Sequence, residues 1–197
     1  MNKYLSQYFR FKSAGDIFNV VNPIYKFEKE ISESMAIRNA VKSKILKDKY
    51  KFNIVDLCAG NCLTGTLFAF TLPVSWVISV DKKPRNRKVN IRKWEYVQQD
   101  IFEDVEIPTN SIIVASHPCT KLATRIIDIY NNSYQALGLV LIPCCMGKID
   151  KKYSVLMKNK LTKYELWSQF LADKCNGNCY RDNNVLSPAN IIVKSWK

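Results

Sequence analysis

Apolar residues follow two different patterns along the chain, and the change between them falls near residue 50. Before it, apolar positions recur every three or four residues, which is the spacing of one helix face. That face comprises Ile31, Met35, Ile37, Val41, Ile45 and Leu46, and the residues predicted for the solvent face are Glu30, Glu33, Arg38, Lys42 and Lys44. The aromatic residues that precede it, among them Tyr8 and Phe18, either pack as a cap or contact substrate. Residues 1–50 are therefore predicted to form an N-terminal helical extension.

From residue 51 onward, short apolar runs alternate with segments of helical length. The apolar runs predict strands at 52–57, 74–80, 96–98, 111–115 and 136–142. The remaining segments predict helices at 63–71, 122–130 and 161–172, and a closing hairpin of 179–181 with 189–195. Strands that are apolar on both faces are typical of parallel sheets covered by helices on both sides. Residues 51–197 are therefore predicted to form one α/β domain with a three-layer, Rossmann-like, doubly wound sheet. The sheet is expected to be mostly parallel, with the hairpin antiparallel.

The composition is that of a folded protein outside the membrane. Of 197 residues, 47% are hydrophobic, which excludes a disordered chain. The longest apolar tract, 63–80, is interrupted by polar residues, glycine and proline, so no membrane partner is expected. The first residues lack the apolar core of a signal peptide, and the seven cysteines are not spaced like a disulfide framework. We therefore expect an intracellular, cytoplasmic protein with reduced cysteines.

The net charge indicates the kind of partner. Thirty Lys and Arg against seventeen Asp and Glu give a formal charge of +13, which suits a polyanion such as nucleic acid. Basic residues are concentrated in 82–93 and 148–163, so RNA is predicted to bind through these two runs. Tyr153, Tyr164 and Trp167 lie within or beside the second run, where they either stack on bases or pack in the core. The alternative for both runs is an ordinary solvated surface.

Residues suited to ligand binding stand directly after the predicted strands. In an open parallel sheet, ligands bind beyond the carboxyl ends of the strands. The first strand leads through Asp56 into a tight glycine turn and a helix start with free N–H groups. The second ends at Asp81, which suits ribose hydroxyls, and the third runs into Asp100, which suits an adenine amine. The fourth leads into His117, the chain's single histidine.

The succession of these motifs resembles that of class I S-adenosylmethionine (SAM)-dependent methyltransferases. The motifs are VDLCAGN at 55–61, VISVDKK at 77–83, QQDIF at 98–102 and ASHPC at 115–119, and LSPANIIV at 186–193 is similar to the family's last antiparallel strand. The resemblance covers about residues 50–197 and implies SAM as the cofactor. It places Asp56 and Gly60 near the methionine portion, Asp81 on the ribose and Asp100 on the adenine. The implied cofactor-binding set is Asp56, Cys58, Ala59, Gly60, Asn61, Asp81, Lys82, Asp100, Ile101 and Ser116. Cys58 and Cys62 stand where the family has glycines.

A further pair of motifs is similar to a narrower group, the methyltransferase domains related to the eukaryotic acceptor-stem tRNA 2′-O-methyltransferase. The similarity rests on HPC at 117–119 with LATR at 122–125, and on LIPCC at 141–145. It implies tRNA as the substrate. The zinc-finger cysteines of that group, and the histidines that follow its paired cysteine, are absent from this sequence.

Ser116, His117 and Cys119 are the candidate catalytic residues, because they occupy the place of catalytic motif IV in the resembling family. A neutral imidazole can take a proton from a hydroxyl or amine acceptor as the methyl group moves. The alternative is that His117 hydrogen-bonds a loop, or lines the pocket without proton transfer. Five cysteines, at 58, 62, 119, 144 and 145, follow strand ends, so we expect the fold to gather them on one rim. They are packing residues, a metal or redox site, or a nucleophile for base C5 methylation; without a CxxC pair, no metal site is predicted.

The sequence thus favours a SAM-dependent methyltransferase acting on RNA, with tRNA as the leading substrate and the acceptor presented beside 116–119. The alternatives are a small-molecule or protein methyltransferase, and a catalytically weak SAM-fold binding module. A nucleotide-dependent oxidoreductase is less favoured, because its pyrophosphate needs close backbone approach at positions 58 and 62.

Overall fold

A seven-stranded sheet forms the middle layer of the molecule. The computed structural model describes residues 2–21, 24–85, 91–149, 155 and 161–197. The strands are β1 (Asn53–Leu57), β2 (Val77–Asp81), β3 (Trp94–Gln98), β4 (Ser111–Ser116), β5 (Ala136–Ile142), β6 (Asn178–Arg181) and β7 (Ile191–Trp196). Their order is β3-β2-β1-β4-β5-β7-β6, with the first five parallel and β7 antiparallel to both of its neighbours. The predicted mostly parallel sheet with a C-terminal antiparallel hairpin is confirmed.

Helices cover both faces of this sheet. They are α1 (Lys3–Phe9), α2 (Ala14–Val21), α3 (Phe27–Lys47), α4 (Leu63–Thr71), α5 (Lys121–Asn132) and α6 (Lys163–Lys174). The first four pack on one face and the last two on the other, which gives the predicted three layers. None of the helices in the described ranges combines the length and the apolar character that crossing a membrane requires.

Successive residues of each central strand enter opposite hydrophobic layers. In β4, Ile112 and Val114 pack with α1–α4, whereas Ile113 and Ala115 pack with α5 and α6. All four side chains are fully buried. A strand in this position needs apolar residues on both faces, and this explains why the sequence shows unbroken apolar runs.

The N-terminal helices belong to the same core as the sheet. Met35 and Val41 of α3 are fully buried in the hydrophobic cluster that also contains residues of β1, β4 and β5. Two residues predicted for the solvent face, Glu33 and Arg38, are only 1% and 5% exposed, whereas Leu46 of the predicted apolar face is 55% exposed. The amphipathic prediction is wrong at Glu33 and Arg38 because α3 is covered by α1 and α4 as well as by the sheet. It is also wrong at Leu46, which lies in the last turn of α3 and is exposed there. The boundary predicted at residue 50 therefore separates two segments that share one core.

The topology places a switch point between β1 and β4. From β1 the chain moves outward through β2 and β3, and it then returns to the other side of β1 for β4 and β5. The loops after β1 and β4 leave the sheet on the same edge because the two strands are parallel neighbours. Ligands bind at such points in doubly wound sheets.

Gly65 lies where α4 packs closely against β2. A Cβ there would lie 2.2 Å from Ser79 Oγ and 3.0 Å from Asp56 Oδ2, and Ser79 Oγ also accepts a hydrogen bond from Trp94 Nε1. We expect Gly65→Ala to lower the free energy of unfolding by about 1–3 kcal/mol through overpacking, measured by urea denaturation. Gly15→Ala in α2 is the matched control, because nothing lies within 4 Å of its added Cβ. If the Gly65→Ala loss is no larger than any change in the control, the contact is not restrictive.

Candidate functional site

An open cavity of about 290 Å³ lies at the switch point. Three elements line it. From α3 come Lys29, Glu30, Glu33 and Ser34; from the loop after β1 and the start of α4 come Cys58, Ala59, Gly60, Asn61, Leu63 and Thr64; from the end of β4 come Ser116 and His117. The predicted cofactor residues 58–61 and Ser116 therefore share one cavity with the predicted base. The wall formed by α3 was not anticipated from the sequence.

The loop after β1 turns tightly through three left-handed residues. Cys58, Gly60 and Cys62 have φ angles of 58°, 53° and 64°. This conformation costs a residue other than glycine about 1–2 kcal/mol. The turn is closed by a hydrogen bond from the Cys62 N–H to the Ala59 carbonyl, 2.7 Å long. Cys58 and Cys62, which stand where the family resembled by the sequence has glycines, thus adopt the backbone conformation that glycine favours.

Asp56 lies beneath this loop and does not line the cavity. It is 1% exposed, and its Oδ2 accepts hydrogen bonds from the Gly65 N–H (2.9 Å) and the Ser79 hydroxyl (3.4 Å). Burial raises the pKa of Asp56 to about 7, and the charge of Asp81 adds to the increase. The placement gives Asp56 a structural contact with α4 and β2. Its predicted contact with the cofactor stays a prediction.

Asp81 joins the end of β2 to the cavity loop. Its Oδ2 accepts a hydrogen bond from the Gly60 N–H (2.8 Å), and its Oδ1 accepts one from the Lys83 N–H (2.9 Å). The carboxylate is partly exposed. It therefore lies against the exposed glycine of the cavity loop, at the edge predicted for the ribose.

The third strand end brings a second carboxylate to this edge. Asp100 pairs with Lys82, whose Nζ lies 2.9 Å from Oδ2, and this hydrogen bond lowers the pKa of Asp100. Ile101 is 3% exposed and packs in the core under α5, and its predicted contact with the cofactor stays a prediction. Its carbonyl accepts a hydrogen bond from Arg125. The next residue, Phe102, is 55% exposed and offers the free apolar surface here.

His117 is held by two residues of α3. Its Nε2 lies 2.5 Å from Glu33 Oε2 and 3.0 Å from Lys29 Nζ, and Lys29 Nζ is also 2.9 Å from Glu33 Oε1. Burial raises the pKa of Glu33, but the hydrogen bonds and charges of His117 and Lys29 outweigh it and bring the pKa below its usual value. An ionised carboxylate 1% exposed thus holds the imidazole at the cavity wall. The sequence gives no sign of this contact, which spans more than eighty residues.

The five cysteines expected on one rim divide into two groups. The sulfurs of Cys119, Cys144 and Cys145 come together, whereas Cys58 lines the cavity and Cys62 is fully buried under the loop. The Cys144 hydrogen bond favours a thiolate at Cys119, but burial and the neighbouring Cys145 outweigh it and raise the pKa of Cys119. A raised pKa disfavours the nucleophilic role considered for Cys119. Ser116 and Cys119 stay candidate residues beside His117.

In the basic runs predicted to bind RNA, some of the described side chains are exposed and others are paired within the protein. Residues 86–90, 150–154 and 156–160 lie outside the described residues. In the first run, Lys82 pairs with Asp100 and Arg85 donates to the Val20 carbonyl (2.9 Å), while Lys83 and Arg92 are exposed.

The aromatic residues considered for base stacking are largely used inside the fold. Trp167 is 1% exposed in the core. Tyr164 donates its hydroxyl hydrogen to the Pro143 carbonyl (2.9 Å) and accepts from the Ile191 N–H. Tyr153 lies outside the described residues. Core packing therefore accounts for Trp167, and hydrogen bonds to Pro143 and Ile191 account for Tyr164.

Comparison with known proteins gives similarity only at the level of structure. No protein-family model matches the chain, and no curated protein matches it. A plantazolicin methyltransferase, BpumL, solved with a substrate analogue and SAH, is 9% identical with a TM-score of 0.49, covering 98% of this chain and 93% of that one. The aminoglycoside resistance methyltransferase NpmB1 is 13% identical with a TM-score of 0.48, covering 80% and 91%. A cyclopropane-fatty-acyl-phospholipid synthase-like protein from Lactobacillus casei is 11% identical with a TM-score of 0.47, covering 91% and 78%.

Proposed function

We propose that this chain is a SAM-dependent methyltransferase that acts on RNA, with tRNA the leading substrate. The observation that carries the proposal is the hydrogen bond between the Gly60 N–H and the Asp81 carboxylate. It joins the cavity loop to the carboxylate suited to ribose hydroxyls, on the edge that also carries Asp100. A nucleoside lying along this edge has its sugar at Asp81 and its substituent directed to the cavity beside His117.

The residues present fit an adenosyl ligand. Two partly exposed carboxylates follow successive strands, Gly60 leaves open space where a Cβ would be, and Phe102 offers an apolar surface beside Asp100. Carboxylate oxygens accept hydrogen bonds from ribose hydroxyls and from an adenine amine. When bound, SAM supplies an electrophilic methyl group. The chain's own task is to orient the acceptor in line with that group and to exclude water.

His117 is the residue that takes the acceptor's proton in this proposal. Because Glu33 is ionised and its Oε2 lies 2.5 Å from Nε2, we assign the hydrogen to Nε2, and Nδ1 keeps its lone pair. Lys29 Nζ then donates to the Glu33 carboxylate and not to the imidazole. Nδ1 would take the proton of a hydroxyl acceptor, and Glu33 would stabilise the imidazolium that forms. Lys29 compensates the charge of Glu33 before the proton arrives.

The choice of RNA is supported by charge. The net charge of +13 favours a phosphate backbone, and Lys83 is exposed just after β2, on the edge of the sheet that carries Asp81 and the cavity loop. Lys148 and Lys163 add exposed positive charge from the second basic run. Phosphate contacts of this kind position a nucleic acid without reading its sequence.

Transfer of a tritiated methyl group from SAM to separate pools of total RNA, protein and small metabolites tests the proposal. We expect label in RNA, and weaker labelling in a Lys83→Ala/Lys148→Ala variant, with a shallower dependence on salt because the variant makes fewer phosphate contacts. Lys47→Ala/Lys49→Ala is the matched control, because Lys47 lies about 27 Å along α3 from Lys29. Label in protein or metabolites alone refutes the RNA substrate, and no label in any pool supports the binding-module alternative.

Asp81→Asn tests the ribose contact. We expect the Kd for SAM to rise about 10–100-fold, because a hydrogen bond to a charged group is worth about 1.5–3 kcal/mol. Isothermal titration calorimetry with SAM and S-adenosylhomocysteine measures this. Asp104→Asn, an exposed residue of the loop after β3, makes the same charge change as a control. An Asp81→Asn affinity equal to that of the control removes Asp81 from the cofactor site.

A further inference from the structure

Three cysteine sulfurs converge beside the cavity, on the loops that follow β4 and β5. Cys119 Sγ lies 3.0 Å from Cys144 Sγ and 3.4 Å from Cys145 Sγ, and the sulfurs of Cys144 and Cys145 are 3.4 Å apart. In the described ranges, no other group of three or more His, Cys, Asp or Glu side chains brings its ligand atoms this close together. The cluster is separate from the residues that line the cavity.

The sheet brings these residues together. Ser116 of β4 is paired with Ile142 of β5, and the His117 N–H continues the pairing with a 3.0 Å hydrogen bond to the Ile142 carbonyl. Continuing this parallel register places residue 119 opposite residue 145 and beside residue 144. The sulfurs thus meet through the pairing of two central strands, although the residues lie about 25 positions apart in sequence.

The cluster's chemistry suits a thiophilic cation. Besides one another, the thiols have a single shared acceptor among the described contacts, the His117 carbonyl, which lies 3.7 Å from Cys119 Sγ and 3.4 Å from Cys144 Sγ. Thiolates are ligands for zinc at about 2.3 Å, which in tetrahedral geometry separates the sulfurs by about 3.8 Å. The observed separations of 3.0 to 3.4 Å are smaller by less than about 1 Å. Side-chain rotation at the exposed Cys119 and Cys145 can open them, and solvent gives the ion access.

We propose that Cys119, Cys144 and Cys145 bind one Zn²⁺ ion through three sulfur ligands, with the fourth coordination position open to solvent. Three S–H bonds break, three S–Zn bonds form, and three protons pass to solvent, with no change of oxidation state. The ion ties the loop that carries His117 to the loop after β5. It thereby fixes the side of the cavity where the acceptor enters.

Cobalt titration of the full-length, chelator-stripped and reduced protein tests this proposal. We expect one equivalent of Co²⁺ to give a thiolate-to-cobalt charge-transfer band with visible bands of a tetrahedral ion, and Zn²⁺ to displace it. Cys119→Ser and Cys145→Ser are expected to weaken binding at least about tenfold, since even loss of an outer-shell partner costs about 10–100-fold. Both side chains are exposed, so the variants are expected to fold, which circular dichroism checks. The matched control, Cys179→Ser, lies on β6 outside the cluster and is expected to bind as the unchanged protein does.

Two outcomes overturn the proposal. One is a titration that shows no charge-transfer band. The three thiols then do not bind the metal, whether or not Cys119 and Cys144 form a disulfide in air. The other is a cobalt affinity that is the same in the two cluster variants and in Cys179→Ser. Neither readout requires SAM or methyl transfer, so a failure here is distinct from a failure of the proposed function.

Discussion

Replacing His117 by alanine is expected to lower kcat for methyl transfer by about 10²–10⁴-fold, the usual contribution of a positioned base. The Kd for SAM should stay nearly unchanged, because the adenosyl contacts proposed here lie at Asp81 and Asp100. The backbone carbonyl that faces the cysteines is also kept in this variant. Single-turnover kinetics with saturating RNA measure the chemical step, and calorimetry measures SAM binding.

Glu33→Gln separates proton transfer from simple support of the loop. Glutamine still accepts a hydrogen bond from His117 but does not stabilise the imidazolium, so kcat is expected to fall about 10–100-fold with KM unchanged. The His117→Ala/Glu33→Gln double variant should have the same kcat as His117→Ala alone, because Glu33 acts through His117. Unchanged turnover in His117→Ala would remove the histidine from the mechanism. A double variant much slower than His117→Ala would show that Glu33 acts by another route.

Stability is expected to fall as the pH rises from about 4 to about 7, because of Asp56. Its pKa is about 7 in the folded chain and near 3.8 in the unfolded chain. Between these values the folded state holds a proton that the unfolded state has released, so the stabilisation is complete below the lower pKa and lost above the higher one. At about 1.4 kcal/mol per pH unit, the change is on the order of 4 kcal/mol.

Asp56→Asn should remove this pH dependence and leave the variant more stable than the unchanged chain at pH 8, since a neutral amide still accepts the Gly65 N–H hydrogen bond. Urea denaturation of both proteins at several pH values gives the comparison. Glu33, whose pKa is lowered, contributes in the opposite direction, but it does so equally in both proteins. Parallel stability curves for the two proteins between pH 4 and pH 8 would show that Asp56 is not the group responsible.

The elements of this fold could be predicted because each has a local signal. The helix predicted at 63–71 and the strand predicted at 136–142 coincide with α4 and β5, since a fully covered strand must be apolar on both faces. The placement of Asp81 and Asp100 on one edge of the sheet could also be predicted, because neighbouring parallel strands end on the same edge. The burial of Ile101 and the exposure of Phe102 could not be predicted in the same way. Which of two consecutive apolar residues enters the core depends on how α5 packs against the loop.

The parts of the site that escaped prediction depend on distant contacts. A glutamate in an amphipathic pattern is expected to face water, and the burial of Glu33 follows only from the approach of α3 to the end of β4. The sequence predicted five cysteines on one rim, but which three of them meet depends on strand register, which the spacing of 119 from 144 and 145 does not reveal. Left-handed backbone at Cys58 and Cys62 was the least expected, because the local preference of cysteine opposes it.

The cavity wall supplied by α3 bears on how acceptor choice can change. A shortened protein starting at residue 51 would retain all seven strands, yet the imidazole would lose its carboxylate and one side of the cleft would face bulk water. Lys29 and Glu30, both half-buried in this wall, contact His117 and Asn61, so their substitution changes the cavity wall together with the groups beside it. Substrate preference can therefore diverge by mutation of a single helical turn.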